Sequence, residues 1–563
     1  MQSGVENLAH NFAPLYLSSP TYNPALKLIL SSLARCNYYI IFCCKRGGLS
    51  EHCFCGVYGT ADEIIWYNLV MRVIRMKKLM SSVLVLVALF TCSASADVKS
   101  DQLLVFHMDF NIIQMRRDLV MELLNTASKS GYNAILWEIE NKVMLPSIAP
   151  AISPDAFSQE EFKEILAEAD KLGLESIPLM QTFGHGEYIM NCHEYRHFRE
   201  RADKSDCYCV SKKSVREFQL ALLRDYIDLF GSRLKRFHLG GDEAYWFGSC
   251  PVCKKRDRME LYVEHLEVLS KELRSRGIRP GVWHDFLLDK KCLNSKAKLP
   301  DDYTVWYWDY SCGTDDLRAK DSADKIAKLS SSKYELIMCA TCQSWGDDPF
   351  FVDARFHRMN ITGLGAIARD KRYAGFCLTS WSIRQSLKRL QRPLIEYAAK
   401  RFLDPSPDSA EDWKMAIQDT FGSYCTPEMV DELLVSGRDL INADSRQWSG
   451  LKEGIPPPEG WFKNWCAKNP AKTKNIPIKA KSQVERTKRA LNKWKALPEP
   501  NDAVKLAIRA GEIKIKQCEM VAKALKGEEY YYPISEVASL YSLEQSPRSA
   551  ENSAKLVLGF FAR

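Results

Sequence analysis

The sequence predicts an α/β chain in which a closed (β/α)8 barrel of the TIM type is followed by a helical domain. Three observations carry that prediction. Eight short apolar runs recur between residues 103 and 382, stretches with helical apolar spacing separate nearly all of them, and past residue 405 only the helical pattern continues. Alternating strand and helix favours parallel pairing, and eight such units favour a closed barrel over an open sheet.

The candidate strands are 103–109, 134–140, 175–183, 236–242, 279–286, 304–310, 335–342 and 375–382. The first, Leu103-Leu-Val-Phe-His-Met-Asp109, is nearly continuous in apolar character, as a strand covered on both faces should be. Helical spacing is found at 113–130, 159–172, 213–230, 257–276, 320–330, 353–369 and 389–402. Gly131, Gly173 and Gly277 each fall just after such a run, where a left-handed C-cap is wanted. Residues 97–405 therefore form the expected barrel domain. Residues 406–563 form the expected helical domain, with runs at 410–420, 427–442, 480–496, 502–525 and 534–545 and breaks at Pro456-Pro-Pro458 and Pro498-Glu-Pro500. From Lys463 to Lys495 there are eleven Lys or Arg against one Glu. A solvated helix face is the plain reading of that imbalance, and a surface for acidic glycans or membranes the sharper one.

At 563 residues the chain exceeds one ordinary core, and its net charge of +8 is too modest to imply nucleic acid. No glycine-rich phosphate loop is present, so a nucleotide site is not expected, and the expected cofactor set is empty. Six of the 19 cysteines precede residue 97, in a segment with its own signature. Met76-Lys-Lys opens a short apolar run to Phe90, and Ala94-Ser-Ala96 follows, the pattern of a signal peptide at 76–96. The expectation is that translation starts at Met76, that residues 1–75 are a spurious or disordered extension, and that cleavage near Ala96 releases an exported chain, periplasmic or secreted, without a stable membrane span. A membrane anchor at 79–90 behind a genuine cytoplasmic segment is the alternative.

The C-terminal ends of parallel barrel strands are where chemistry gathers. The fourth candidate strand ends in Gly240-Gly-Asp-Glu243, with Tyr245 and Trp246 next. Around it stand His107 and Asp109, Trp137, Glu138 and Glu140, Gln181, Thr182, His185 and Glu187, Trp283 to Asp285, Trp306 to Tyr310, Cys342, Trp345 and Trp381. Seven tryptophans among carboxylates are what a sugar pocket requires, because apolar sugar faces stack on aromatic rings while hydroxyls bond to acids.

Leu174-Glu-Ser-Ile-Pro-Leu-Met-Gln-Thr-Phe-Gly-His-Gly-Glu187 and Phe237-His-Leu-Gly-Gly-Asp-Glu-Ala-Tyr245 resemble glycoside hydrolase family 20, most closely its hexosaminidase D branch, with Trp137-Glu-Ile-Glu140 and Trp381 in keeping. The resemblance implies an exo-acting retaining β-N-acetylhexosaminidase with substrate-assisted catalysis on glycans bearing terminal GlcNAc or GalNAc. Glu243 would be the general acid, and Asp242 would orient the substrate's acetamido group. Tyr310 would bond the acetamido oxygen, and Trp308, Trp345 and Trp381 would wall its pocket. His185 and Glu187 would bind hydroxyls or support the acid, and Asp285 and Glu138 are further candidates for sugar hydroxyls. Strand one offers His107-Met-Asp109 where the lysosomal branch uses an Arg for the outer hydroxyls, so gluco or galacto preference stays open. A non-catalytic sugar-binding barrel and a conventional pair of Glu243 with Glu138 are the competing readings.

Cys207-Tyr-Cys209 and Cys250-Pro-Val-Cys253 remain. Disulfides are the plain reading for an exported protein, and a tetrathiolate zinc site of Cys207, Cys209, Cys250 and Cys253 the sharper one.

Overall fold

The structure, a computed structural model, describes Ile41–Phe42, Cys55–Gly56 and residues 102–558 except 345, 372, 383–386, 435–463, 465–466, 527 and 532. The leader pattern at 76–96, Trp345 and the end of the 427–442 run lie outside the described residues. The chain divides into two compact units, Met1–Lys99 and Ser100–Arg563. In the first, Ile41–Phe42 pairs antiparallel with Cys55–Gly56.

The second unit holds the predicted barrel. Its strands are β1 (Leu103–Asp109), β2 (Ala134–Glu138), β3 (Glu175–Leu179), β4 (Arg236–His238), β5 (Arg279–Trp283), β6 (Thr304–Trp308), β7 (Glu335–Gln343) and β8 (Gly375–Ser380). Every neighbour pair is parallel, and β8 closes the ring on β1 through Gly375↔Leu103 to Leu378↔Phe106. Helices α1 (Arg117–Ser130), α2 (Gln159–Lys171), α3 (Lys213–Phe230), α4 (Arg258–Arg274), α5 (Asp316–Ser330), α6 (Ala354–Asp370) and α7 (Arg392–Leu403) surround it. Between β5 and β6 there is one turn, Asp285–Leu288, in place of a full helix. Local chemistry explains the boundaries: Ser158 and Glu161 make a reciprocal capping box on α2, Asp257 caps α4, and Gly131 ends α1 at φ +95°.

Six of the eight strands end earlier than their sequence pattern, and in every case at the C-terminal rim. The pattern continues through Glu140, Thr182, Asp242 and Asp285, but the backbone leaves the ladder. Glu140 and Glu243 adopt φ +44° and +43°, Gly240 and Gly241 +65° and +99°, and Asp285 begins a helical turn. Side chains composed like a strand are thereby turned toward the barrel mouth instead of a neighbouring strand. On the far side, β8 passes a bulge between Thr379 and Ser380 against β7, a common device for re-aiming residues beside a site.

Period-two alternation sorts the strands between two cores. Val105, Leu136, Ile177, Leu179, Ile337, Cys339 and Cys377 fill the barrel interior with Trp283 and Trp306, and Trp308 and Trp381 cover that plug at the mouth. Phe106, Ile135 and Trp137 face the helices instead. Trp137 packs edge-on against Phe162 of α2 at 5.4 Å.

The C-terminal helices are α8 (Ser409–Phe421), α9 (Pro427–Leu434), α10 (Ile476–Lys495), α11 (Asp502–Lys526), α12 (Ile534–Tyr541) and α13 (Pro547–Leu558). The run expected at 534–545 ends at Tyr541, and a further helix opens at Pro547, a residue suited to a first helical turn. These helices are keyed to the barrel. The buried Glu544 carboxylate accepts the N–H groups of Lys388 (2.6 Å) and Arg389 (2.9 Å), Tyr541 donates to the Pro349 carbonyl (2.6 Å), and Lys514 pairs with Asp348. In the basic segment Lys488, Lys493 and Lys495 pair with Glu519, Glu432 and Glu512, which matches the plain reading of a solvated face. Among the described residues no helix is long and apolar enough to cross a membrane.

Candidate active site

The acid pair stands where β4 leaves the barrel. The His238 ring lies against Trp283 and Trp306 at 4.4 and 5.2 Å and accepts the Gly240 N–H on Nδ1 at 2.9 Å, which starts the turn. Gly240 is needed there: at φ +65° a Cβ would run into the Gln181 amide. The turn buries Asp242 and leaves Glu243 half-exposed.

His185 rises from the loop after β3 to meet both, itself in the left-handed region at φ +50°. Its Nε2 lies 3.4 Å from Asp242 Oδ2 and 3.7 Å from Glu243 Oε2. Burial alone would push the Asp242 carboxyl up, but the His185 charge and hydrogen bond outweigh it and hold the group below the usual range. Burial likewise opposes a charge on His185, yet Asp242, Glu187 and Glu243 raise its pKa well above 6.5. The pair is therefore imidazolium and carboxylate at neutral pH. Asp242 Oδ1 is buried and has no hydrogen-bond partner among the described residues.

Glu243 is fixed from two directions. Tyr245 donates its hydroxyl to Oε1 at 2.7 Å, and the Glu243 N–H donates to Asp285 Oδ1 at 3.2 Å. Asp285 Oδ2 accepts the Trp308 indole N–H at 3.0 Å, so one carboxyl group joins the acid's backbone to the aromatic wall. Desolvation first, then the Asp242 charge, raises Asp285 to about 8.

The wall is built from the next strands. Trp308 and Tyr310 lie 5.4 Å apart, tilted by 30°, and Trp381 donates its indole N–H to the Tyr310 hydroxyl at 2.7 Å. The Thr379 hydroxyl also lies 3.3 Å from the Tyr310 hydroxyl. Deeper in the mouth, Glu138 accepts from Gln181 (2.8 Å) and contacts His107 Nε2 (3.1 Å), and burial raises it to about 7. Glu140 is raised well above the usual range by burial and by Glu138, Asp109 and Glu187, which places Glu187 in the same negative field.

Asp242, Glu243, His185, Glu187, Asp285, Glu138, Trp308, Tyr310 and Trp381 thus surround one mouth, and Trp345 lies outside the described residues. The expected ring of seven tryptophans is reduced. Trp137 faces the helix layer, Trp283 and Trp306 plug the barrel, and Trp246 lies beneath Arg201 and Lys204, so among the described residues Trp308 and Trp381 alone of that set stand partly exposed over the plug at the mouth. The tetrathiolate set also needs correction. Cys209, Cys250 and Cys253 come together, but Cys207 turns toward the Tyr208 carbonyl and the buried Glu200 carboxylate takes its place.

The sequence assigns no role to Tyr245, which contacts the acid, or to two buried polar residues elsewhere, Lys388 and Glu200. Tyr245 follows the acid pair, and its spacing from Glu243 was visible. Lys388, buried and bonded to Gln343 and Ser380, and Glu200 sit in mixed polar segments with no pattern to mark them.

A closed parallel barrel with carboxylates and indoles at its C-terminal mouth is an arrangement suited to a glycoside hydrolase. Residues 125–351 match the family model described as the catalytic domain of glycosyl hydrolase family 20. The match runs from β2 through β7 of the barrel, and the enzyme is a glycoside hydrolase of the β-hexosaminidase type. Hexosaminidase D of Bos taurus is 28% identical over 294 residues, 49% of this chain and 83% of that protein. Hexosaminidase D of Homo sapiens is 26% identical over 226 residues, 38% of this chain and 46% of that protein. Among solved structures, a β-N-acetylhexosaminidase from Bacteroides fragilis superposes with TM-score 0.44 at 16% identity, covering 56% of this chain and 70% of that one. A chitobiase from Flavobacterium johnsoniae gives 0.45 at 14% identity, covering 80% and 77%.

Proposed function

We propose that this enzyme removes terminal β-linked GlcNAc or GalNAc from glycans, acting from the chain end with retention of configuration and with the substrate's own acetamido oxygen as nucleophile. The observation that carries the reading is Asp242: buried, ionised, held on one oxygen by His185, and with Oδ1 unpartnered beside Glu243. A fixed buried anion with a vacant acceptor suits an amide N–H. Accepting it would aim the acetamido oxygen at the anomeric carbon and offset the positive charge of the oxazolinium that forms. Glu243 would protonate the departing glycosidic oxygen and then deprotonate the water that opens the ring from the same face. The Tyr310 proton would bond the acetamido oxygen, with Trp308 and Trp381 as walls.

A conventional pair with Glu138 as nucleophile fits less well, because Glu138 is buried, engaged by His107 and Gln181, and protonated up to about pH 7. The test is a comparison of 4-nitrophenyl β-GlcNAc and β-GalNAc with the β-glucoside. Loss of the N-acetyl group should lower kcat/KM by more than about a hundredfold, and a thiazoline that mimics the oxazolinium should bind far more tightly than substrate. Comparable rates on the glucoside would refute the assisted mechanism, and absence of turnover on all three would favour a binding module. We also propose export after cleavage near Ala96, on the sequence pattern at 76–96 alone; N-terminal sequencing of the native protein tests it.

A further inference from the structure

Two rim loops meet beside the acid pair, the one after β3 (residues 180–212) and the one after β4 (residues 239–257). Near the site they touch backbone to backbone: a Cβ on Gly184 would sit 2.5 Å from the Asp242 carbonyl oxygen and 3.3 Å from Ala244. Farther out they touch again through Glu200 and Cys209 of the first loop and Cys250 and Cys253 of the second. The four donor atoms all lie within 4.8 Å of one another.

The distances have a definite meaning. Cys209 Sγ is 3.7 Å from Cys250 Sγ and 3.8 Å from Cys253 Sγ, and Cys253 Sγ is 3.6 Å from Glu200 Oε2. A disulfide requires about 2.05 Å, so no pair here is bonded. A tetrahedral centre with metal–sulfur bonds of about 2.3 Å and metal–oxygen bonds of about 2.0 Å requires sulfur–sulfur edges of about 3.8 Å and sulfur–oxygen edges of about 3.5 Å. Three of the six edges already have those lengths, and no donor pair is more than 4.8 Å apart.

Polar groups hold the sulfurs and the carboxylate in place. The Cys253 N–H points to Cys250 Sγ at 3.3 Å, and Ser211 Oγ stands 3.0 Å from Cys253 Sγ. The Cys250 N–H donates to Glu200 Oε1 at 2.8 Å, which turns Oε2 toward the sulfurs, as second-shell bonds orient metal ligands. Glu200, Cys209 and Cys253 are buried, and a cation between them would offset the charge of a carboxylate set against sulfur.

We propose that Glu200, Cys209, Cys250 and Cys253 hold a zinc-type divalent cation that clasps the β3 and β4 loops together. Four protein donors complete a tetrahedral shell and leave no open position, so the ion is structural. Its effect is to fix the loops that carry His185 and Glu243 relative to one another. Binding releases the thiol protons to solvent and leaves the oxidation state of sulfur unchanged.

The test uses the full chain purified without chelators. Elemental analysis should find about one zinc per chain. Cys207→Ser should keep it, whereas Cys250→Ser, Cys253→Ser and Glu200→Ala should lower zinc affinity at least tenfold. Since a cysteine variant could fail to fold, the wild-type chain stripped of metal provides a second readout. Adding zinc should raise its Tm, and adding cobalt should produce the intense visible bands of a tetrahedral thiolate complex. The proposal is overturned if the reduced wild-type chain neither contains nor takes up an equivalent of zinc or cobalt. It is equally overturned if Cys207→Ser loses the ion as fully as Cys253→Ser, or if Cys209 is disulfide-bonded to Cys250 or Cys253 in the fresh protein.

Discussion

His185 Nε2 lies 3.4 Å from Asp242 Oδ2, and each residue stabilises the charged state of the other. The histidine part of this stabilisation is full below 6.5 and is lost as pH rises through the raised value. The aspartate part is present above 3.8 and is lost as pH falls through the depressed value. Replacing His185 with Gln should leave burial to dominate Asp242 and drive its carboxyl up. Because the proposed mechanism uses the ionised form, the acidic limb of kcat/KM should move to higher pH and the loss should be greater at pH 5 than at pH 8. A pH–rate profile with an unmoved acidic limb would show that the histidine does not govern Asp242.

The two acidic neighbours should fail differently. Glu243→Gln should lower kcat about 10²–10⁴-fold on glycans, whose leaving groups need a proton, and less on nitrophenyl glycosides, which need little help. Thiazoline binding should change little. Asp242→Asn should lower kcat about 10²–10³-fold on both substrate types and should weaken the thiazoline, since the anion facing the oxazolinium is gone. Steady-state kinetics with both substrates, together with inhibition constants, separate these patterns.

Much of the fold was legible because long-range order here follows from local periodicity. Parallel strands covered on both faces read as apolar runs, and Gly131, Gly173 and Gly277 marked helix ends with φ of +95°, +73° and +73°. The rim was legible in residue type but not in direction. Whether Trp137 faces sugar or helix depends on the pleat, and Trp283 and Trp306 became core because the interior of an eight-stranded barrel is just wide enough to be filled by side chains. The substitution of Glu200 for Cys207 could not be read at all, since it depends on how two loops from different strands meet.

Tyr310 and Trp381 should act as a unit. Trp381→Phe keeps a ring against the pocket but removes the N–H that holds the Tyr310 hydroxyl at 2.7 Å, and Tyr310→Phe removes the hydroxyl itself. Each should lower kcat/KM on N-acetyl substrates, and the double variant should cost less than the sum, with a coupling of about 0.5–3 kcal/mol. A double-mutant cycle measures it. Additive losses would mean that the indole N–H does not position the phenol.

Glu138 distinguishes the assisted mechanism from the conventional one. Its pKa of about 7 lies above the ordinary 4.5, so the folded chain holds a proton that the unfolded chain gives up. The associated stability is full below 4.5 and is lost as pH rises through 7. Glu138→Gln mimics the protonated group, can keep bonds to His107 and Gln181, and removes that loss. Relative to the wild type it should gain stability between pH 5 and pH 8, with a ceiling on the order of 3 kcal/mol from the size of the shift. Chemical denaturation at the two pH values reads the difference. If Glu138 were the nucleophile, the same substitution would abolish turnover. If the acetamido group fills that role, kcat should stay within about tenfold of the wild type, since the change then costs at most one hydrogen bond in the mouth.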